Sequence, residues 1–341
     1  MSNTILITGG AGFIAHHVVD YLLKNSDWNI VTLDRLDYSG NLNRLHDVIR
    51  RYDPETQKRV RVVYHDLKAE LNPQITTTIG HVDYIAHLAA GSHVDRSIDF
   101  PMEFVQDNVI GTVNILEYAR KVEGLKQFIY FSTDEVFGPA PEGVKYKEND
   151  RYNSTNPYSA SKAGAEELVV AYENTYGLPA IITHTMNVFG ERQHPEKYIP
   201  MCIKRARDGE TVTVHSNSEK TKAGSRHYIH ADDVADALWF LMNYDISKLE
   251  QDYGGAKCQK FNIVGADELD NLELAKMIAE FQGKELNYEM VDFHSSRPGH
   301  DLRYALDGEK MKKMGWVPRP VRERLKETVQ WTIENNEWLK T

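Results

Sequence analysis

Cysteine is scarce in this chain, and long apolar runs and an excess of basic charge are absent from it. Its 341 residues include two cysteines, Cys202 and Cys258, whose spacing matches no metal-binding motif. Two cysteines cannot build a disulfide framework, so we expect a protein of a reducing compartment, the cytoplasm. No apolar run reaches the ~18 residues that a membrane-spanning helix needs, so no membrane association is expected.

The charge balance limits the partners that the chain can have. The sequence has 40 basic and 50 acidic residues, a formal net charge of −10, and its basic residues are not clustered. A nucleic-acid backbone requires a basic cluster, so no nucleic-acid partner is expected. Hydrophobic residues make up 41% of the chain and charged residues 26%, which is typical of a globular protein with a large core.

Short apolar runs alternate with amphipathic stretches along the chain. The runs predict strands at Thr4–Thr8, Asn29–Asp34, Val60–Tyr64, Tyr84–Leu88, Gln127–Ser132, Ala180–Thr185 and Lys260–Val264. The stretches predict helices at Phe13–Lys24, Asn41–Tyr52, Phe104–Glu123, Pro157–Tyr176, Tyr198–Arg207, Asp233–Tyr244, Leu272–Gln282 and Val321–Glu334. Strands that alternate with helices form βαβ units, so we expect an α/β fold with a doubly wound parallel sheet.

A glycine-rich turn follows the first predicted strand directly. Residues 8–15 read TGGAGFIA, in which Gly9 and Gly12 fit the dinucleotide-binding fingerprint. Such a turn lets a pyrophosphate approach the backbone and the amides of the following helix. Asp34 ends the next strand, where a carboxylate accepts from the ribose hydroxyls and favours NAD over NADP, although Arg35 beside it weakens that preference. The alternative is a structural turn followed by a solvated aspartate.

Tyr158 and Lys162 lie four residues apart, on one face of a predicted helix. A lysine ammonium lowers the pKa of a nearby tyrosine, because a positive charge stabilises the phenolate. The phenolate could then take a proton from a sugar hydroxyl while a hydride leaves the same carbon, and Lys162 would also bind the nicotinamide ribose. The alternative is two ordinary residues on an exposed helix face.

Thr133, Asp134 and Glu135 follow the predicted strand Gln127–Ser132. The carboxyl ends of parallel strands point into the binding cleft of such a fold. Enclosure and mutual repulsion would push the pKa values of the two carboxyl groups apart, which suits one for acid and the other for base catalysis. The alternative is a turn in which Asp134 caps a helix and Glu135 is solvated, and the residues alone leave both interpretations open.

These motifs together resemble the extended short-chain dehydrogenase/reductases, and within them the nucleoside-diphosphate-glucose 4,6-dehydratases, which include the dTDP-glucose enzymes and their UDP-glucose relatives. The resemblance covers nearly the whole chain. Its segments are TGGAGFI at 8–14, LAAGSHVDRSI at 88–98, STDEVFG at 132–138, NPYSASKAGAE at 156–166, PEKYIP at 195–200 and RPGHDLRYA at 297–305.

The resemblance implies a domain organisation and a cofactor. Residues 1–187 and 227–265 would form a Rossmann domain that binds NAD. Residues 188–226 and 266–341 would form a smaller, irregular α/β domain that binds the nucleotide sugar, and within it the polar segment Ser216–Ser225 is expected to be a mobile loop. We also expect a homodimer that pairs through the predicted helices Phe104–Glu123 and Pro157–Tyr176.

The implied activity is that of a lyase of deoxysugar biosynthesis. Tyr158 would be the base for oxidation at C4, with Thr133 bound to the C4 oxygen. Glu135 would abstract the C5 proton, and Asp134 would protonate the C6 hydroxyl as it leaves as water. Hydride returns to C6, so that NAD is regenerated and a 4-keto-6-deoxy sugar forms. The resemblance favours dTDP-glucose as the substrate, and UDP-glucose next.

The resemblance also assigns binding positions on both sides of the cleft. On the coenzyme side they are Gly9, Gly12, Phe13, Ile14, Asp34, Asp66, Leu67, Ala89, Tyr158 and Lys162. On the sugar-nucleotide side they are Ser92, Asn187, Lys197, Tyr198, His215, Arg226, Asn262 and Arg297. An arginine can bind a phosphate with two parallel hydrogen bonds, although a surface ion pair is the alternative interpretation for Arg226 or Arg297 taken singly. No His, Asp or Glu group has metal-ligand spacing, so no metal is predicted.

The sequence departs from the family pattern at several positions. Gly91 stands where the dTDP enzymes usually have Glu, Phe137 replaces a usual Tyr, and Val188 follows Asn187 where Asn is common. His215 stands where an aromatic contact to the base is expected. The catalytic set is therefore intact, and the nucleotide stays open.

Two other functions use the same fold. A nucleotide-sugar C4 epimerase or decarboxylase needs NAD and the Tyr158–Lys162 pair but not the two carboxyl groups at 134 and 135. A non-catalytic NAD-binding sensor would predict the loss of Tyr158 or Lys162, and both residues are present.

Overall fold

A computed structural model of the chain describes residues 2–37, 39–246, 249, 258–292 and 303–340. Its strands are β1 Thr4–Thr8, β2 Asn29–Asp34, β3 Val60–Tyr64, β4 Tyr84–His87, β5 Gln127–Thr133, β6 Ala180–Thr185, β7 Val188–Phe189, β8 Val212–Ser216, β9 Ser225–His227, β10 Ile229–His230, β11 Gln259–Ile263, β12 Glu268–Asp270 and β13 Tyr288–Asp292. None of the described helices is both long enough and apolar enough to cross a membrane.

The α-helices fall between and after these strands. They are α1 Phe13–Asn25, α2 Leu42–Ile49, α3 Pro54–Gln57, α4 Pro73–Ile79, α5 Val94–Asp99, α6 Pro101–Phe104, α7 Gly111–Ala119, α8 Pro157–Tyr176, α9 Tyr198–Asp208, α10 Ala231–Asn243, α11 Asn271–Phe281, α12 Glu309–Met314 and α13 Val321–Glu334. Every helix predicted from the sequence has a counterpart, although the predicted helix Phe104–Glu123 is interrupted.

The central sheet has seven parallel strands in the order β11-β6-β5-β4-β1-β2-β3. The order reverses between β1 and β4, as in a doubly wound fold, so the predicted fold class is confirmed. Each sheet strand was predicted within one residue at either end. Both sheet faces are buried, and such strands are continuous apolar runs that a sequence displays clearly.

Alternate side chains of the sheet enter two separate cores. Ile5 and Ile7 pack on one face, together with Val18 of α1 and Leu238 of α10. Leu6 points to the opposite face, where the core contains buried residues of α7 and α8, among them Ile115, Leu116, Ala165 and Val169. The alternation of side chains along β1 therefore shows that α1 and α10 cover one face of the sheet and that α7 and α8 cover the other.

A third hydrophobic cluster lies outside the central sheet. It contains Ile203 of α9, Val214 of β8, Ile278 of α11 and Leu325 of α13, all with 0% exposure. In the same region β8 pairs in parallel with β13, and β9 pairs antiparallel with β12. We propose that this cluster is the core of the predicted nucleotide-sugar-binding domain.

The predicted helix Phe104–Glu123 is wrong as a single α-helix. After α6 the chain makes a π-helical segment, Val105–Ile110, before it continues as α7. The wider turn directs the amide of Asn108 inward, where it accepts from the Gly91 N–H at 2.8 Å and donates to Gly91 O at 3.0 Å and to Ser161 Oγ at 2.8 Å. π-helical turns of this kind are often found at functional sites.

Candidate active site

A cleft of about 520 Å³ runs along the carboxyl ends of the central strands. Residues that follow β1, β2, β4, β5 and β6 all line it. In a parallel doubly wound sheet, this edge is where ligands bind, because the loops separate at the reversal of strand order. The cleft brings most of the predicted site residues together, namely Gly9, Gly12, Phe13, Ile14, Asp34, Asp66, Leu67, Ala89, Ser92, Thr133, Asp134, Glu135, Tyr158, Lys162, Asn187 and Lys197.

The glycine-rich turn is packed too tightly for side chains. Gly9 has φ +70°, and an added Cβ would lie 2.9 Å from the backbone of Ala89. At Gly10 an added Cβ would lie 2.3 Å from the Cβ of Thr32. The N-cap of α1 is Gly12, which has no side chain to occupy the first amides of the helix. These amides and the positive end of the helix dipole are therefore available to a phosphate group in the cleft.

Asp34 lies at the end of β2 beside this turn. One carboxylate oxygen accepts from Ala11 N at 3.0 Å, and the other accepts from Leu36 N at 2.8 Å. Burial raises its pKa, although the two backbone donors oppose that effect. A carboxylate held in this way is suited to accept hydrogen bonds from ribose hydroxyls, so the turn and Asp34 together fit an adenine dinucleotide.

Thr133, Asp134 and Glu135 form the turn that leaves β5. The Thr133 hydroxyl accepts from Glu135 N at 3.3 Å and donates to Asp134 Oδ1 at 3.1 Å. The other oxygen, Asp134 Oδ2, is buried and has no hydrogen-bond partner in the described part of the chain. Thr133, rather than Asp134, is the residue that caps this turn. Asp134 therefore has a carboxylate oxygen that a ligand in the cleft could bind.

Burial shifts both carboxyl groups toward neutrality. Desolvation raises the pKa of Asp134 to about 6. Desolvation together with the charge of Asp134 raises the pKa of Glu135 to about 7, while a hydrogen bond from Asn156 Nδ2 at 3.1 Å opposes this rise. The charge of Arg226 opposes both rises. Each carboxyl group can therefore hold or release a proton near neutral pH, as a general acid or base requires.

Arg226 reaches this pair from β9 of the third cluster. Its guanidinium carbon lies 4.7 Å from the centroid of the Tyr304 ring, and Nη1 donates to Ser225 O at 2.7 Å. The positive charge of Lys197 also lowers the pKa of Glu135. Two cations thus act on the acidic pair from the side of the predicted sugar-nucleotide domain.

Tyr158 and Lys162 lie on one face of α8, as predicted, but they do not interact as predicted. Lys162 Nζ donates to Phe131 O at 2.7 Å and lies 4.2 Å from the centroid of the Tyr130 ring. Burial lowers the Lys162 pKa to about 7. Burial and the charge of Glu135 raise the Tyr158 pKa, and a hydrogen bond with Thr133 partly offsets the rise. The surroundings of Tyr158 thus oppose the predicted lowering of its pKa.

Three predicted substrate contacts, Tyr198, His215 and Asn262, do not line the cleft. Asn262 is 0% exposed, and its amide donates to Tyr146 O and Asp307 O, so it is a core residue rather than a contact. The Tyr198 hydroxyl donates to Asn271 O at 2.8 Å. His215 lies within β8, paired with a residue of β13. Arg297 lies outside the described residues.

Glu166 is a buried carboxylate near the acidic pair that was not predicted from the sequence. Glu166 is 0% exposed and accepts from the hydroxyls of Ser132 and Tyr152, and from His184 Nε2 at 3.1 Å. These partners lower its pKa to about 2, so it is ionised. Its position one helical turn after Lys162 was the available signal. Since Ser132 precedes the acidic turn, Glu166 fixes the end of β5.

Comparison with known proteins agrees with this geometry. The sequence model of the GDP-mannose 4,6 dehydratase family matches residues 6–329. The chain is 35% identical to an Escherichia coli protein named dTDP-glucose 4,6-dehydratase, over 98% of this chain and 94% of that protein. It is 40% identical to the low-salt glycan biosynthesis protein Agl12 of Haloferax volcanii, over 92% of this chain and 93% of that one.

A solved structure shares the whole fold. It is the dTDP-glucose 4,6-dehydratase DesIV of Streptomyces venezuelae, with NAD and TYD bound. The two chains are 34% identical, with a TM-score of 0.83 and 99% of each chain covered. The chain therefore belongs to the nucleotide-sugar 4,6-dehydratase family that the GDP-mannose 4,6 dehydratase model describes, as the resemblance of its motifs predicted.

Proposed function

We propose that the protein is a lyase that converts a nucleoside-diphosphate-glucose into the 4-keto-6-deoxy sugar and water, with NAD as its coenzyme. The observation that carries this proposal is a pair of adjacent carboxyl groups, the buried Asp134 and the half-buried Glu135, in the same cleft as the hydroxyls of Thr133 and Tyr158. Oxidation and reduction alone need no such pair. Elimination of water from adjacent carbons needs one base and one acid.

The residues that would hold NAD are those of the glycine-rich turn, with Asp34 at the adenosine ribose and Lys162 at the nicotinamide ribose. Support comes from the uncapped first turn of α1, which suits a pyrophosphate, and from the related solved structure with NAD bound. When bound, NAD⁺ would supply the hydride acceptor for oxidation at C4 and, once reduced, the hydride donor for C6. The chain's own residues move the protons that accompany these transfers.

Thr133 and Tyr158 are the groups that would bind the C4 oxygen. Thr133 lowers the pKa of Tyr158, so the two hydroxyls lie close enough for the C4 oxygen of the sugar to bind both. As a phenolate, Tyr158 would take the hydroxyl proton as the C4–H bond breaks. Because the Glu135 charge raises the Tyr158 pKa, the phenolate forms more readily when Glu135 is protonated or is neutralised by Arg226.

Asp134 and Glu135 would then remove water. A ketone at C4 acidifies the C5 proton, and Glu135 takes it as a base. Asp134, protonated, gives its proton to the C6 hydroxyl, so that the C6–O bond breaks and water leaves. Glu135 then returns a proton to C5 as hydride reaches C6, which completes the 4-keto-6-deoxy sugar. A carboxyl group with a pKa of about 6 or about 7 is a stronger base than a solvated one, and still an adequate acid.

We propose dTDP-glucose as the substrate, with UDP-glucose as the next candidate. Support comes from the relatives, two of which are named dTDP-glucose 4,6-dehydratases. Lys197 and Asn187 line the cleft, and we propose that they bind the sugar nucleotide there. We further propose the cytoplasm as the location, since Cys202 and Cys258 are buried free thiols.

We also propose a homodimer. Its support is a group of exposed apolar side chains on α5, α6 and the π-helical segment: Ile98, Phe100, Met102, Val105 and Ile110. They lie on and before the first predicted pairing helix, and exposed apolar patches of this kind mark interfaces. Leu116, on the first predicted pairing helix, is fully buried in the chain's own core and is not available to a partner.

The test is product analysis with dTDP-glucose, UDP-glucose, CDP-glucose and GDP-mannose. A 4-keto-6-deoxy product gives a near-ultraviolet band after alkali. We expect Glu135→Gln to abolish water loss while reduced coenzyme accumulates, because oxidation at C4 does not need Glu135. Glu70→Gln, on the exposed loop after β3, is the matched control. Unchanged water loss in Glu135→Gln would refute the proposal. Inversion at C4 without water loss would indicate an epimerase. No product from any of the four sugar nucleotides would indicate a non-catalytic sensor.

A further inference from the structure

A group of ionic side chains lies at the adenosine-ribose end of the cleft, outside the residues that the proposed reaction uses. Arg35 follows Asp34 directly and binds Asp107 with two parallel hydrogen bonds, Nη1 to Oδ1 at 2.5 Å and Nη2 to Oδ2 at 2.7 Å. Asp37 accepts from Arg35 Nε at 2.5 Å. All of these residues line the cleft. The arginine therefore already has a bidentate carboxylate partner.

The pair is partly shielded from solvent. The side chain of Asp107 is 7% exposed and that of Arg35 is 22% exposed. Lys68 Nζ lies 3.9 Å from Asp107, and Asp66 lies 3.7 Å from the guanidinium. A bidentate pair at this depth is held more firmly than a solvent-exposed ion pair, because water competes less for its hydrogen bonds.

Gly91 and the π-helical segment give Asp107 its position. Asp107 lies within Val105–Ile110, next to Asn108, whose amide is fixed by Gly91 and Ser161. A Cβ added at Gly91 would lie 3.2 Å from Asp107 Oδ2 and 3.2 Å from the ring of Phe104. A larger side chain at position 91 would displace the Asp107 carboxylate, so this departure from the family pattern leaves room for the ion pair.

The location of the pair matters for the choice of coenzyme. NADP differs from NAD by a phosphate on the adenosine ribose, and folds of this type bind that phosphate with an arginine near the end of the second strand. Arg35 occupies that place in the chain. Asp107 holds one edge of the guanidinium and Asp37 the other, so a 2′-phosphate could form a bidentate pair with Arg35 only by displacing one of these carboxylates, and it would be repelled by Asp34 as well.

We propose that Asp107 is a coenzyme-specificity residue: by holding the Arg35 guanidinium, it denies NADP the arginine that would bind its 2′-phosphate and makes the site selective for NAD. The proposal rests on the coenzyme of the proposed function and is independent of the sugar and of the elimination. A protein that binds NAD but dehydrates no sugar would leave it intact.

Competition between the two coenzymes tests this role without any sugar. Purified holoprotein is equilibrated with mixtures of NAD and NADP, and the retained coenzyme is released by acid and quantified. Asp107→Asn keeps the side-chain volume but removes the charge and one acceptor. One charge-assisted hydrogen bond to phosphate is equivalent to about a tenfold or larger gain, so we expect the NADP-to-NAD affinity ratio to rise by about that factor.

Two further variants complete the test. In Arg35→Met/Asp107→Asn the gain should disappear, because no guanidinium remains to bind the phosphate. Asp208→Asn, which removes the same charge at the exposed end of α9, should change nothing. An unchanged ratio in Asp107→Asn, or a gain that survives in the double variant, would overturn the proposal.

The single variant Arg35→Met keeps the proposal falsifiable if Asp107→Asn fails to fold. Because Asp107 occupies the guanidinium in the native protein, we expect Arg35→Met to leave the NADP-to-NAD ratio unchanged. A selective loss of NADP binding would mean that Arg35 is already free to bind the phosphate, which contradicts the role of Asp107.

Discussion

Replacing Glu135 by glutamine should stabilise the protein while it abolishes the reaction. The carboxyl group lies in a desolvated turn beside Asp134, and its pKa is raised from 4.5 to about 7. A group that ionises less readily in the folded than in the unfolded chain costs folding free energy whenever it is ionised. Glutamine carries no charge, and its carbonyl can still accept the hydrogen bond from Asn156.

The sign and the pH window follow from the direction of this pKa shift. Below pH 4.5 Glu135 is protonated in both states, so the variant and the native protein should be equally stable. As the pH rises from 4.5 to about 7, the unfolded chain loses the proton first and the native protein loses stability. Above pH 7 the variant should be more stable by about 3 kcal/mol, and an unfolding entropy of ~2.1 cal/mol/K per residue converts this to a rise of about 4 °C in Tm.

The assay is urea and thermal unfolding between pH 4 and pH 8.5, with equal and saturating coenzyme in both samples so that ligand stabilisation cancels. Glu70→Gln serves again as the exposed control and should match the native protein throughout. A Glu135→Gln variant that is no more stable than the native protein at pH 8, or whose advantage does not shrink toward pH 4.5, would refute the reasoning that burial raises this pKa.

Three other variants probe the surroundings of the site. Arg226→Met should move the pH profile of kcat/KM to higher pH, because the lost positive charge lets the pKa values of Asp134 and Glu135 rise further; an unmoved profile would contradict the placement of Arg226. Asn108→Ala should lower the free energy of unfolding by about 2–3 kcal/mol, because it leaves buried backbone groups without partners, as urea titration would measure. Met102→Asp should give monomers in light scattering if the exposed apolar group is a dimer interface, and dimers would argue for another surface.

Local signals account for the elements that were predicted best. Helix α8 begins after Asn156, whose side chain accepts from Ser159 N, and ends at Gly177 in the left-handed conformation. A capping residue, a proline in the first turn and a terminal glycine mark both ends in the sequence. The cleft was predictable for a related reason, because strand ends and the glycine-rich turn are readable from nearby residues.

The failures depend on contacts between distant parts of the chain. In the π-helical segment, Asn108 forms hydrogen bonds with Gly91 and Ser161, and no local sequence pattern indicates those partners. Asn262 was assigned as a substrate contact by the family resemblance alone, but its amide donates to Tyr146 O and Asp307 O, which come from two other segments. Lys162 was correctly placed on its helix face, whereas the direction of its long side chain is set by the carbonyl of Phe131.

The π-helical segment makes the length of the connection between β4 and β5 a constraint in itself. Removing one residue from Val105–Ile110 would let an ordinary α-helix form, and each α-helical residue turns the chain by about 100°. Asp107 and Asn108 could then no longer face Arg35 and Gly91 at the same time. A shortened chain could fold with a more regular helix. It would then lose the hydrogen bonds from Asn108 to the loop after β4, and with the Asp107–Arg35 pair it would lose the proposed selectivity for NAD over NADP.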